Sequence, residues 1–251
     1  MIERTETNGI VTIRLAHGKA SAMDLELVEG LTLAIDELAQ SDARAAILTG
    51  TGSIFSAGVD LFRILDGGEE YVKRFLPALS RLVLDLFGLA KPLVVATNGH
   101  AIAGGCVMAA TGDIKLMARG NGRIGVPEML VGVPFPPSVI EVLRFAVAPF
   151  ALQTMIFTGR TGSAEDAQHI GLIDEVVDPD ALIDRAHAVA EQLASLPQQA
   201  FRLAKFQLRD PYIRRAKRYA GQHDGDVLTA WSDPATHAVI RAYLDKTVKK
   251  S

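Results

Sequence analysis

Asn98-Gly99-His100-Ala101-Ile102-Ala103-Gly104-Gly105-Cys106 stands between an apolar run, Pro92 to Ala96, and a short apolar segment that reads as a helix over 105–111. Paired glycines just ahead of a helix leave backbone N–H groups unpaired and uncovered at its positive end, where an anion can be received. A second stretch of this kind lies some forty residues upstream: Phe55-Ser56-Ala57-Gly58-Val59-Asp60-Leu61. It follows the run Ala43 to Thr49 and the loop Gly50-Thr51-Gly52, and its small side chains let the backbone come close to a ligand. Each stretch taken alone is more often a tight turn or a close packing contact than a binding loop.

Working outward, Val11, Ile13 and Leu15 alternate within Gly9 to Leu15 and predict a strand with one buried face. Asp24 then precedes Leu27, Leu31, Ala34, Ile35 and Leu38, a helical stripe behind an N-capping residue. Asp113 to Ala118 is a further apolar strand, ending at the turn Arg119-Gly120-Asn121-Gly122, and helical segments are expected over Val72–Phe87 and Ala181–Leu196. Strand and helix alternate through the first 190 residues, which implies an α/β core. The remainder carries little strand signal, so the expected organisation is a core over 1–190 and a helical region over 191–251.

Composition narrows the partners. A hydrophobic fraction of 49%, a charged fraction of 22% and a formal charge of -3 describe an ordinary globular chain with no electrostatic case for a nucleic acid or a membrane surface. The single cysteine, Cys106, cannot pair internally, which fits a reducing, cytoplasmic setting. The six histidines are scattered, so no metal is expected, and no apolar stretch approaches the length of a membrane span.

Together, Phe-Ser-Ala-Gly-x-Asp-Leu and Asn-Gly-x-Ala-x-x-Gly-Gly-Cys resemble the crotonase (enoyl-CoA hydratase/isomerase) superfamily. Further matches follow in order: Lys19-Ala20-Ser21-Ala22-Met23-Asp24, Gly112-Asp113-Ile114, Pro127-Glu128 through Gly132, Thr158-Gly159-Arg160, and Ala164 to Val177 with Gly171-Leu172-Ile173-Asp174. The resemblance spans roughly residues 5 to 210 and implies a ββα superhelix with C-terminal helices that serve trimerisation, as a trimer or a dimer of trimers. It also implies an acyl-coenzyme A thioester as the partner, coenzyme A being part of the substrate and no separate cofactor being needed. The thioester oxygen would accept from the backbone amides of Val59 and Gly104. Lys19, Ala20, Ala22, Ala57, Gly58, Asp60, Leu61 and Gly105 are the positions expected to border the substrate, and Asp60 itself reads as a loop or cap carboxylate rather than a base.

The reaction turns on a departure from the family pattern. Hydratases of this family hold one water between two glutamates, one directly after Gly-Gly-Cys and one after the later Pro; here those positions are Val107 and Glu128. Valine cannot orient water or carry a proton. A single glutamate resembles the 3-enoyl-CoA to 2-enoyl-CoA isomerases, in which one carboxylate moves a proton from C2 to C4. Hydration or another crotonase-type reaction stays open, as does a catalytically silent acyl-CoA binder. Glu128 also has a plain reading, as an acidic first-turn residue after Pro.

Other candidates read as structure. His100 lacks a Ser, Cys or Asp partner in sequence, Asp66 precedes Gly67-Gly68 in what looks like a solvated turn, and Cys106 reads as a small packed residue. The basic cluster Arg214, Arg215, Lys217 and Arg218 is either a solvated helix face or a contact for coenzyme A phosphates.

Overall fold

The computed structural model of the chain describes residues 1–248; residues 249–251 of the expected C-terminal region lie outside the described residues. The chain opens with an antiparallel hairpin, β1 (Ile2–Thr7) and β2 (Ile10–Leu15), whose two-residue turn places Asn8 and Gly9 at positive φ. That is the backbone demanded by the tightest hairpin turns. Helix α1 (Leu25–Gln40) starts at Asp24, whose carboxylate accepts from the Leu27 amide at 2.8 Å, and strand β3 (Ala45–Thr49) follows.

Three successive units then repeat one pattern: a buried strand of the main sheet, a short strand of a second sheet, and a helix. The first is β3, β4 (Ile54–Ser56) and α2 (Leu61–Gly88); the second is β5 (Leu93–Thr97), β6 (His100–Ile102) and α3 (Gly104–Ala110). The third is β7 (Ile114–Ala118), β8 (Ile124–Gly125) and α4 (Glu128–Val131). Helices α5 (Pro137–Ala146) and α6 (Pro149–Thr158) lead to β9 (Thr161–Gly162), α7 (Ala164–His169) and β10 (Glu175–Val177). The chain ends in α8 (Leu182–Ser195), α9 (Gln198–Ser232) and α10 (Pro234–Val248).

The main sheet runs β1-β2-β3-β5-β7-β10, parallel except for the first pair, and the second runs β4-β6-β8-β9. Every residue of β3 and β5 is buried, as a parallel sheet covered on both faces requires. Alternation sorts the side chains by face. Ala46, Leu48, Val95 and Met117 join the core under α1, α2 and α3, while Ala45, Ile47, Val94, Ala96 and Leu116 meet Leu182, Ala186 and Ala190 of α8. This is the α/β, ββα superhelical architecture read from the sequence. Residues 190 and 191 both lie inside α8, a helix that packs on β3 and β5, and the helices beyond the sheet layer begin with α9.

One expectation is corrected. Gly67 and Gly68 do not form a separate turn: they lie within α2, where Gly68 (φ 56, ψ -151) kinks the helix while the buried stripe continues from Ile64 to Val72 and Phe75. A single glycine absorbs the break because it alone takes that backbone without steric cost.

Candidate active site

The first glycine loop is held on both sides of one residue. Met23 donates its amide to the Gly58 carbonyl at 2.7 Å and accepts from the Asp60 amide at 3.0 Å, so residue 59 is bracketed and its own N–H is turned away from Met23. Ala57 donates to the Ala20 carbonyl at 2.9 Å, and the Ser56 hydroxyl donates to the Ser21 carbonyl at 2.7 Å while accepting from the Gly58 amide at 3.1 Å. The Asp60 carboxylate accepts from the amides of Phe62 and Arg63, making it the N-cap of α2. The Lys19–Met23 segment is thus the splint of the loop. Ala20 and Ala22 are half-buried along it, and Lys19 is exposed.

The second loop leaves β6 through Ala103, which takes φ 52 and ψ -122, a backbone that favours glycine. Its amide donates to the Gly125 carbonyl at 2.8 Å, and the next residue, Gly104, opens α3. The first amides of a helix have no partner inside it. Among the described residues, neither the Val59 nor the Gly104 N–H donates to a protein acceptor.

Glycine brings the two loops together. A Cβ on Gly58 would lie 2.5 Å from the Ile102 carbonyl oxygen and 3.1 Å from the Gly104 nitrogen; one on Gly104 would lie 2.6 Å from the Met23 sulfur. Gly105, expected to border substrate, is buried, and its Cβ would fall 2.5 Å from the Ser56 carbonyl oxygen. Its place is the contact between the loops.

Glu128 is the first residue of α4, behind Pro127, and the helix ends after one turn at Gly132, in the left-handed conformation. Its side chain is buried at 9% exposure, and its Oε2 has no hydrogen-bond partner among the described residues. Burial pushes its pKa from the ordinary 4.5 up to about 8, against a smaller lowering by its own backbone amide. A cavity of about 50 Å³ joins this carboxylate to Ala57, Val59, Leu61 and Ala103. A recess of about 20 Å³ behind it is lined by Leu79, Val83, Gly104, Val107 and Val139. Val59, Glu128 and Trp231 border both spaces. The carboxylate therefore shares its walls with both free amides and with Val107, and Glu128 is the one carboxylate lining either space among the described residues.

The structure accounts for the remaining candidates as follows. His100 accepts from the Arg123 amide at its Nδ1 (3.2 Å), a contact within the second sheet. Asp66 is exposed on α2 and borders neither space. Cys106 is fully buried, and burial, with Glu128 nearby, drives its thiol pKa upward. Arg214 pairs with Asp210 at 2.6 Å, and Arg215 pairs with Glu141, fastening α9 to α5. No cluster of three or more His, Cys, Asp or Glu able to hold a metal occurs among the described residues, and no described helix is long and apolar enough to cross a membrane. A cavity of about 560 Å³ lies apart from Glu128 between α6 and α7, and its carboxylate, Asp166, is spent in the capping box with Ser163.

Two residues of the site have no signal in the sequence. Trp231, at the end of α9, and Tyr243, on α10, reach the Glu128 cavity from the C-terminal helices. Neither stands in a motif, and more than a hundred residues separate them from Glu128.

Comparison with known proteins agrees with this architecture. The family model for enoyl-CoA hydratase/isomerase matches residues 5–248. A putative enoyl-CoA hydratase of Thermus thermophilus is 34% identical over 185 residues, 72% of each chain. The human mitochondrial delta3-delta2-enoyl-CoA isomerase superposes with a TM-score of 0.93 at 24% identity, over 100% of this chain and 99% of that one. The apo enoyl-CoA isomerase of Mycobacterium tuberculosis gives a TM-score of 0.81 at 28% identity, over 86% of this chain and 94% of that one. That protein also goes under the name of a probable enoyl-CoA hydratase. The fold and the paired glycine loops are those of the crotonase superfamily. The chain belongs to its enoyl-CoA hydratase/isomerase family.

Proposed function

We propose that this chain converts 3-enoyl-CoA thioesters to 2-enoyl-CoA thioesters, with Glu128 as the proton shuttle and the Val59 and Gly104 amides as the oxyanion hole. The observation that carries this reading is the solitary carboxylate: Glu128 lines the cavity with an unpartnered oxygen, and the adjoining recess is lined by Val107, the position that by resemblance carries a glutamate in the family's hydratases.

In this mechanism the Glu128 carboxylate takes a proton from C2. The electron pair of that C–H bond passes into a dienolate, and the negative charge collects on the thioester oxygen. Two preorganised N–H donors at that oxygen each lower the barrier by about 3–4 kcal/mol. As the carbonyl reforms, the double bond settles between C2 and C3, and the protonated Glu128 returns the proton to C4. No water enters, which suits an apolar chamber around a single acid/base. A raised pKa also suits the role, since a shuttle must both accept and release the proton near neutral pH.

The second reading is hydration of 2-enoyl-CoA, favoured by the name of the Thermus thermophilus relative. Supplying 3-enoyl-CoA and 2-enoyl-CoA separately in deuterated water distinguishes the two. Isomerisation at enzymatic rates, lost by about a thousandfold or more in Glu128→Gln, is the expected result. Hydration of 2-enoyl-CoA at ordinary rates would overturn it, and binding with neither turnover nor label exchange would mark a silent acyl-CoA binder. In Val107→Glu, which places a second carboxylate beside Glu128, hydration should rise above the wild-type level. By family resemblance the enzyme would act in the cytoplasm as a trimer or a dimer of trimers, a state that sedimentation equilibrium measures.

A further inference from the structure

Resting on the isomerase reading, we propose that Trp231 sets the acyl-chain length, restricting the substrate to short chains of the butenoyl and hexenoyl class. Past Glu128, the recess toward Val83 and Val139 measures about 20 Å³. A single water needs roughly 10–15 Å³ on this scale. An acyl tail that runs from the two amides past Glu128 therefore meets a nearly closed end.

Trp231 borders both sides of that constriction, together with Val59 and Glu128, and is the largest side chain of the three. Its indole is 2% exposed, and its Nε1–H donates to the Pro134 carbonyl at 2.9 Å. Its own carbonyl is bonded by the His237 Nε2 at 2.9 Å, across the turn from α9 to α10. The ring is fastened at the side chain and at the backbone. Swinging it aside would break the bond to the half-buried Pro134 carbonyl and also pull a ring that is 2% exposed out of its packing. Of the other walls of the recess, Leu79, Val83, Val107 and Val139 belong to the helices of the main core and are as tightly packed, and Pro134 and Phe135 come from the half-buried segment that the indole N–H holds.

The test compares kcat/KM over a series from 3-hexenoyl-CoA to 3-decenoyl-CoA in the full-length wild type, Trp231→Leu and Trp231→Phe. The wild type should lose at least about tenfold between the ends of the series, since one methylene misfit in an apolar pocket already costs about that much. Trp231→Leu should shift the decenoyl-to-hexenoyl ratio of kcat/KM toward decenoyl by a similar factor. Trp231→Phe, which keeps a ring but loses the Pro134 bond, should move the same way by less, and it carries the test if the leucine variant does not fold. A flat wild-type profile, or variants that alter all chain lengths equally, would overturn the inference. If the wild type isomerises no 3-enoyl-CoA of any length, the isomerase reading fails. Calorimetric binding of butyryl-CoA against decanoyl-CoA then still reads chain length: a wild-type preference for butyryl-CoA relaxed in the variants supports a gate at Trp231, and equal binding of both refutes it.

Discussion

Glu128 is a carboxylate with an environment built against its charge. Burial outweighs the single backbone bond to it, so its proton is held up to about pH 8, whereas the unfolded chain releases it near the ordinary 4.5. Between those two values the folded state carries one proton more than the unfolded state, so stability falls as pH rises. The contribution is full below the unfolded pKa and is lost by the time pH passes the folded one. Glu128→Gln removes this penalty. Denaturant melts should find the variant more stable than wild type at pH 8 by on the order of a few kcal/mol, with the gap closing toward pH 5. A gap independent of pH would mean that Glu128 is not protonated in the folded chain. The same ionisation should appear in catalysis: the base works only when deprotonated, so kcat/KM for 3-enoyl-CoA should climb through a single step near pH 8 and level off above it. In this range gain of the base and loss of stability go together, which is how a functional carboxylate differs from a paired structural one.

At the scale of elements, the site depends on two loops that touch only because side chains are missing. Gly58 has φ +83, and an added Cβ would meet both the Ile102 carbonyl and the Ala103 side chain. Gly58→Ala should therefore cost more than about 1 kcal/mol through backbone strain. By pushing the Val59 and Gly104 amides apart it should also cut kcat by about a hundredfold, the usual penalty for a misplacement on the order of 1 Å. Asp60→Ala makes the contrast, because it removes a cap and leaves the loop contact in place. Thermal unfolding should record a loss of about 1 kcal/mol, with most of the turnover retained. If Asp60→Ala abolishes turnover at full stability, its carboxylate does more than cap α2. The early half of α2 also shows why this element was hard to see: two glycines in succession look like a loop, yet a cap at Asp60 and apolar residues continuing past Gly68 keep it one kinked helix.

The whole molecule is held together around the far end of α3. Arg209, 3% exposed on α9, donates to the carbonyls of Phe87, Thr111 and Gly112 at 2.7–2.8 Å and pairs with Asp113 at 3.0 Å. It thereby satisfies carbonyls at the C-terminal ends of α2 and α3, where helices leave acceptors without partners. Its guanidinium also lies 4.4 Å from the centre of the Phe87 ring and 5.3 Å from that of Phe145. Beside it, Lys205 reaches Asp113 at 2.7 Å and the Lys91 carbonyl at 3.0 Å. α9 is thus bolted to the end of the helix whose first residue is Gly104, and α9 itself carries Trp231 to the site. Arg209→Ala leaves three carbonyls without this donor, while Asp113 keeps Lys205 and the Leu93 amide, and it should destabilise the chain by about 3 kcal/mol or more in equilibrium unfolding. Arg209→Lys should restore only part of this, because a point charge cannot serve several acceptors set in a fork. A loss below about 1 kcal/mol for Arg209→Ala would show that the helical region is not docked through this residue.

Much of this was legible from residue order, and the reason is local. Strands β3, β5 and β7 are fully or nearly fully apolar runs closed by turn residues, and α1 carries its own cap and stripe, so neighbours along the chain reveal them. The glycine loops, the cap at Asp60 and the replacement of a glutamate by Val107 beside a retained Glu128 are likewise written in short motifs. Strand β1 escaped because its residues are charged and exposed, and β8 and β9 escaped because two residues have no period. Sequence therefore carried the architecture and the short motifs that place the two glycine loops and Glu128 beside one cavity. Packing alone decided that one oxygen of the buried Glu128 carboxylate has no hydrogen-bond partner among the described residues, and that Trp231 and Tyr243 line its cavity. Burial and the approach of residues a hundred positions apart are properties of the assembled core, and no stretch of the chain holds them beforehand.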